Sequence, residues 1–506
     1  MKLKSMVLNN FKNIKSSKIE FKSNNISGIY GPNGSGKTAI VEALEIVQLY
    51  FTVNKYNITE SNSNSDKNLS QMLKKEIFRL IKKGEKTLAI ELEIEGNKDT
   101  FKIELSFTKD ALNNIIVSKE NILVKDTLKK RQKFKTFISL DNSEPLEYPK
   151  LILRNDTKME SNNIISQILL DQGISNQSLL VKFSELNSFI ALIYQLLEHN
   201  NSKEVKIPLN NALDEFFVKF SVIFEYIRKI FIVTLQDQAL SNLFLMKLTI
   251  HTKNSHGSAP ITLKGEHNPL HKDIAQEVVN NVEQFNKIFK YLIPNSELIC
   301  KITPLEDSSE TLVSLYIKKD NIEINIDNES AGIKKLISIA AALIYCMQDE
   351  NALIVIDELD AHIFEYLLAE ILKNMSEIAK GQLVFTAHNL SVMEVLDSNS
   401  IIITSIKDGD VSYNYFKKVS KTANLRQRYL RSQFMWSEDN INPLELNSSS
   451  LRASMRNLVE SDKYYSIYKR NLWFILIFIL EIYVDSEIKI KLLKFKYHLI
   501  FSTRLA

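Results

Sequence analysis

Two hydrophobic rhythms meet near Ser27. Ile26 to Tyr30 are five residues able to form a strand, whereas Ile40, Val41, Leu44 and Val47 recur at the spacing of one helix face. Residues 1–50 therefore read as two or three strands, a tight turn and a helix. Farther on, alternation in TLAIELEIEG, from Thr87, and in TFKIELSF predicts an antiparallel hairpin turning at Gly96-Asn97. Residues 54–70 are polar and rich in breakers, the composition of a surface excursion, and residues 163–247 read as mainly helical. After a loop-like stretch from His251 to His271, the positions Ile274, Val278, Val282, Phe285, Phe289 and Leu292 predict a helix that Pro294 stops. Strands are expected over 298–326. Ala352 to Ile356 is apolar at every position, which suits a strand buried on both faces of a parallel sheet. The sequence shows neither sustained heptads nor a fixed-period repeat.

Composition narrows this α/β picture only a little. At 506 residues the chain exceeds one simple core, and 44% hydrophobic with 25% charged residues is ordinary for a soluble globular protein, so two or three lobes are expected. A net charge of +4 argues neither for nor against nucleic acid. Cys300 and Cys346 are the only cysteines, which excludes a disulfide framework and a Cys-rich zinc site and fits a reducing, cytoplasmic setting. The opening MKLKSMVLNNFKNI has no apolar segment of signal-peptide length, so secretion is not expected.

The chemistry begins in the turn Gly31-Pro32-Asn33-Gly34-Ser35-Gly36-Lys37-Thr38. Its glycines allow backbone angles closed to residues with a Cβ, so successive N–H groups can surround a phosphate at a helix N-terminus. Lys37 can then reach the β and γ phosphates, and the Thr38 hydroxyl can ligate Mg²⁺. A second motif lies far downstream, where the apolar strand delivers Asp357 and Glu358 at its C-terminal edge, the edge at which open α/β sheets bind ligands. Asp357 would hold Mg²⁺ and Glu358 would orient or deprotonate the attacking water. A solvated strand end is the bland reading of such a pair, and the phosphate loop weighs against it. Ser330 and Gly332 open a long helix in ESAGIKKLISIAAALIYC, where free N–H groups favour an anion, although Ser330 also suits a plain N-cap. GQLVFTAHNL ends a strand at Thr386 and presents His388, either to a γ-phosphate or as a structural histidine.

The order of these elements resembles the ABC-type P-loop ATPases, and within them the RecF and SMC branch. LNNFKNIKSSKIEF before GIYGPNGSGKT is similar to that branch's N-terminal hairpin. The resemblance makes Asn33, Gly34, Ser35, Gly36, Lys37 and Thr38 the nucleotide loop and Ser330 and Gly332 the signature acting in trans. It makes Asp360 the D-loop residue, Glu358 and His388 catalytic, and Thr38 and Asp357 the Mg²⁺ ligands. ESAGIKKL departs from the full LSGGQ-type signature. The implied fold is a head with a mixed sheet flanked by helices: residues 1–160 and 298–420 form it, 161–297 are a mainly helical insertion and 421–506 a C-terminal extension.

Within that branch the chain resembles compact ATPases of bacterial phage-defence and abortive-infection systems, including the overcoming-lysogenization-defect type. The implied function is an ATP-binding and ATP-hydrolysing switch, dimerising or forming a higher homo-oligomer around sandwiched ATP, and controlling a separately encoded nuclease or toxin. A complete Toprim nuclease is not read in this chain: NLVESDKYY is similar to its first motif, but no Asp-x-Asp follows. A RecF-like repair ATPase binding duplex DNA and a nucleotide-dependent scaffold are the alternatives, and intact Lys37, Asp357 and Glu358 argue against the scaffold. The tail from Asn471 is apolar from Leu472 to Leu480, but Glu481 and Asp485 cut it below the ~20 residues needed to span a bilayer, so a membrane partner is not expected. A buried helix, an interaction surface and an altered C-terminus stay open there. His251, His256, His267 and His271 are half of the eight histidines, yet their spacing forms no ligand pattern, and a polar loop is expected.

Overall fold

The computed structural model describes residues 1–23, 25–52, 64–128, 132–141, 150–152, 186, 188, 191, 211–234, 266–305, 309–407, 409–420, 423–433 and 449–458. Strands β1 (Lys2–Phe11) and β2 (Ile14–Glu20) form a hairpin, and β3 (Ile26–Tyr30) leads through the glycine-rich turn into α1 (Lys37–Thr52). Helix α2 (Asn64–Leu80) starts inside the polar stretch expected as a surface excursion, most of which lies outside the described residues. Strands β4 (Thr87–Glu95) and β5 (Asp99–Lys109) are the anticipated hairpin, with the Gly96 amide donating to the Asp99 carbonyl at 2.9 Å. Strands β6 (Ile115–Asp126), β7 (Lys135–Asp141) and β8 (Lys150–Ile152) continue the meander. Together they build a seven-stranded sheet of order β2-β1-β4-β5-β6-β7-β8, antiparallel at each pairing.

Of the span read as mainly helical, α3 (Asn211–Arg228) and the short strand β9 (Phe231–Val233) are described, and most of the remainder lies outside the described residues. Strand β10 (Asn268–His271) and helix α4 (Lys272–Leu292) follow, the helix burying Ala275, Val278, Val282, Phe285 and Phe289 on one face. Two of the clustered histidines lie outside the described residues. Of the other two, His271 caps α4 by accepting the Asp273 amide, and His267 lies beside Glu266. The helix packs on β11 (Ser296–Pro304) and β12 (Glu310–Lys319), in an antiparallel sheet in which β10 and β13 (Ile322–Asn325) also pair with β12.

The elements that carry the downstream motifs come next: α5 (Ala331–Gln348), β14 (Leu353–Ile356), α6 (Glu365–Ile378), β15 (Gln382–Thr386), the hairpin β16 (Ile401–Lys407) and β17 (Asp410–Asn414), and α7 (Leu425–Ser432). They complete a six-stranded sheet of order β17-β16-β3-β15-β14-β9, parallel except at the β16–β17 edge. Strands β3, β15, β14 and β9 are buried on both faces, and the alternation is visible in β14. Leu353 and Val355 join a core with α1 and the seven-stranded sheet, while Ile354 and Ile356 join a second core with α5 and α6. Helix α1 is thus held between two sheets. Helix α5 has the length and apolarity of a membrane span, but Ile339, Ala342 and Leu343 are buried in the second core. The chain divides into two compact units, Met1–Pro443 and Leu444–Ala506, and the second is described over 449–458, a helix with exposed residues.

Candidate nucleotide and hydrolysis site

Residues 31–36 cross from β3 to α1 at the C-terminal edge of the parallel sheet. Gly36 has φ +88°, and a Cβ there would stand 2.9 Å from Val411 of β17, so both backbone and space demand glycine. The loop is tied from three sides. The Ser35 hydroxyl donates to the Pro32 carbonyl at 2.7 Å and pairs with Thr404 of β16. The Tyr413 hydroxyl donates to the Gly36 carbonyl at 2.8 Å, and Asn13 from the first hairpin donates to the Gly34 carbonyl at 2.9 Å. Asn33 and Gly34 are exposed at the tip. Lys37 is buried and folds back, its ammonium donating to the carbonyls of Gly31 at 2.8 Å and Pro32 at 3.1 Å. Burial pulls its pKa down, against the opposing pull of Glu358, Asp357 and Asp360.

The acidic pair stands opposite. Asp357 is 1% exposed; its carboxylate accepts the Thr386 hydroxyl at 2.5 Å and the Thr38 hydroxyl at 3.4 Å. Burial pushes this carboxyl above the usual range, and neighbouring Glu358 adds to the rise while the two threonine hydroxyls oppose it. Glu358 has φ +46°, a left-handed conformation costly for a residue with a side chain. Strand β15 anchors that turn: the Glu358 amide donates to the Thr386 hydroxyl at 2.8 Å, and the Leu359 amide to the Thr386 carbonyl at 3.0 Å. His388 brings its Nε2 to 4.0 Å from Glu358 Oε1, and both side chains are partly open to solvent.

Asp360 faces its own chain. One carboxylate oxygen accepts the backbone N–H of His388 at 2.8 Å and of Asn389 at 2.6 Å, so this aspartate fixes the loop that carries the histidine. Ser330 is exposed and caps α5, its hydroxyl accepting the Ile333 amide at 3.4 Å, which is the bland role open to it from sequence. Gly332 lies against the segment that follows the acidic pair: a Cβ there would be 2.5 Å from the His362 carbonyl oxygen.

The sequence left several participants unread. Thr386, Thr404, Tyr413 and Asn13 act through contacts made only when distant strands assemble, and nothing in their local spacing marks them. Lys335 is different. It is buried, 4% exposed, on a helix otherwise apolar on its inner face, and its ammonium donates to the Glu358 carbonyl at 3.4 Å. A lysine interrupting an apolar helix stripe is a signal that could have been used.

A family profile described as "AAA domain, putative AbiEii toxin, Type IV TA system" matches residues 26–394, a span that runs from β3 past β15. Among solved structures, the SMC head domain from Thermotoga maritima is 15% identical, covering 82% of this chain and 100% of that one, with a TM-score of 0.37. The Smc head domain with a coiled coil and joint from Pyrococcus yayanosii is 14% identical, covering 86% and 100%, with a TM-score of 0.41. That from Pyrococcus furiosus, with an extended coiled coil and bound to the C-terminal domain of ScpA, is 15% identical, covering 85% and 98%, with a TM-score of 0.38. Comparison with curated proteins gives no match. With the profile spanning both the phosphate loop and the acidic strand end, the chain belongs to the AAA-domain family described as putative AbiEii toxin, Type IV TA system, and carries a P-loop domain of the ATPase type.

Proposed function

We propose that this chain is a Mg²⁺-dependent ATPase whose heads close in pairs on ATP, and that its nucleotide state controls a separately encoded nuclease or toxin in anti-phage defence. The observation that carries the ATPase reading is the meeting of the two motifs: Thr38 and Asp357, far apart in sequence, are 3.4 Å apart, with Glu358 next and His388 4.0 Å beyond it. The family's description as a putative AbiEii toxin supports the abortive-infection setting.

The residues have distinct tasks. Lys37 donates to neutral carbonyls of its own loop, weaker acceptors than phosphate oxygens, so the β and γ phosphates of ATP recruit it. Thr38 and Asp357 offer a hydroxyl and a carboxylate, the oxygen donors that Mg²⁺ takes, and a carboxylate buried to 1% exposure is best compensated by a cation. Bound there, the ion supplies charge neutralisation at the phosphates. Glu358 accepts a proton from, or aligns, the water that attacks the γ-phosphate. His388, 4.0 Å from Glu358, would contact the same phosphate, and Asp360 holds its backbone in place. Ser330, exposed at the N-terminal end of α5, with Gly332 beside it, would meet the γ-phosphate of a partner head.

The test is ATP turnover by the purified chain with Mg²⁺ and with chelator, beside Glu358→Gln. Glu358→Gln keeps ATP affinity and hydrolyses about 10²-fold more slowly or worse, the range for losing a general base. Wild-type turnover in that variant removes Glu358 from the mechanism, and absent turnover in the parent protein removes the enzymatic reading.

A further inference from the structure

Gly332, Lys335, Leu336 and Ile339 lie at positions i, i+3, i+4 and i+7 of α5 and share its inner face. Three of the four are suited to packing: a glycine that lets the helix approach the His362 carbonyl, and two buried apolar side chains. Lys335 is not. At 4% exposure its ammonium is removed from water, and an apolar residue would fill the position without that desolvation cost. Its surroundings give the reason for a lysine. Burial pushes its pKa down to about 8, opposed by the carboxylates of Asp360, Asp357 and Glu358 on the same chain, and its Nζ donates to the Glu358 carbonyl at 3.4 Å.

The carbonyl it holds belongs to the residue with φ +46°. A left-handed residue with a side chain persists only where its surroundings hold it. Strand β15 holds the amide of Glu358 through the Thr386 hydroxyl at 2.8 Å, and the next amide through the Thr386 carbonyl at 3.0 Å. Helix α5 supplies the matching hold on the carbonyl. His362 also has a positive φ, +64°, and its carbonyl is the one that meets Gly332. The turn from Glu358 to His362 is therefore gripped by α5 at both ends, through Lys335 and through the bare backbone of Gly332.

We propose that Lys335 is a positioning residue that, from within the same chain, fixes the backbone from which the Glu358 carboxylate is aimed at the attacking water. This rests on the hydrolytic reading of Glu358. Lys335 acts through Glu358, whose carbonyl it holds. Methionine has a similar length and no charge, so Lys335→Met keeps the packing and removes the donor.

Lys335→Met lowers kcat about 10-fold while KM for ATP stays within about twofold, because a misaimed group costs rate whereas Lys37 and Thr38 still bind. Lys335→Arg, which keeps a donor, recovers part of the rate. In a Glu358→Gln background Lys335→Met brings no further loss. Amides 358–362 exchange hydrogen faster in Lys335→Met although its melting temperature is not lowered. Unchanged kcat with unchanged exchange overturns the proposal, as does a lowered melting temperature with equal rate loss in Met and Arg variants, which marks a packing role. Should the parent protein not turn over ATP, the hydrolytic reading fails on its own, and the exchange of amides 358–362 still decides whether Lys335 holds the turn.

Discussion

A methyl group on Gly332 would lie 2.5 Å from the His362 carbonyl oxygen, closer than backbone tolerates. Gly332→Ala is therefore expected to destabilise the nucleotide-free protein by about 1–3 kcal/mol, the cost of overpacking, and thermal melting without ATP measures it. A glycine needed only for a partner's nucleotide gives unchanged melting. Lys37→Ala removes the loop's only cation, and ATP binding by isothermal titration falls by at least about tenfold; equal affinity in the variant displaces the site. The two residues show what was legible. The placement of Lys37 and Thr38 at the start of α1 was legible in local spacing, because the glycine-rich turn is one continuous segment. Asp357 and Glu358 were readable for a similar reason, since an apolar strand must present its next residues at the sheet edge. The inward turn of Asp360 onto the His388 and Asn389 amides, and the grip of Lys335 on Glu358, depend on how α5 and β15 meet. Neither contact has a local pattern.

Among the elements, those with one clean period were read at once. Strands β4 and β5 alternate strictly, and α4 keeps helical spacing up to Pro294. Strands β6 to β8 were not read, because an extra residue at Ser118, where the pairing with β5 shifts register, breaks the alternation of β6, and β8 has only three residues. The seven-stranded sheet that results carries a charged surface on which Glu104 is less exposed than Glu91, Glu93 and Glu95. Burial pushes the Glu104 carboxyl up, but hydrogen bonds from Lys102, Lys119 and Asn121 outweigh it and hold the group at about 2. A depressed carboxylate stabilises the fold above its unfolded range near 4.5, and that contribution is lost as pH falls towards 2. Glu104→Gln is therefore less stable than the parent at neutral pH by urea unfolding, and the gap closes between about pH 4.5 and pH 2. A gap that stays constant over that window means that the lysines contribute nothing specific at Glu104.

At the scale of the whole molecule, the head presents one edge on which the nucleotide loop, the acidic strand end and the His388 loop come together. The large aromatic side chains Phe364 and Tyr366, just beyond Asp360 and His362, are 73% and 67% exposed beside it. Helix α5 opens near the same segment, with Ser330 exposed at its tip and Gly332 packed on His362. If a second head closes on that edge, ATP must be present and unhydrolysed for closure to last. Glu358→Gln should therefore form an ATP-dependent dimer that the parent forms only transiently, and Ser330→Arg added to it should abolish the dimer by placing a bulky cation where the partner's phosphate and loop approach. Ser330 also caps α5, and losing a cap costs about 1 kcal/mol, so Ser330→Ala is the control. Both Ser330 variants should melt alike, and only the arginine should block association. Sedimentation with and without ATP separates the outcomes. A dimer that ignores ATP and survives Ser330→Arg means a pre-formed oligomer joined elsewhere, and then occupancy of Lys37 and Glu358 by ATP acts within one head rather than across two.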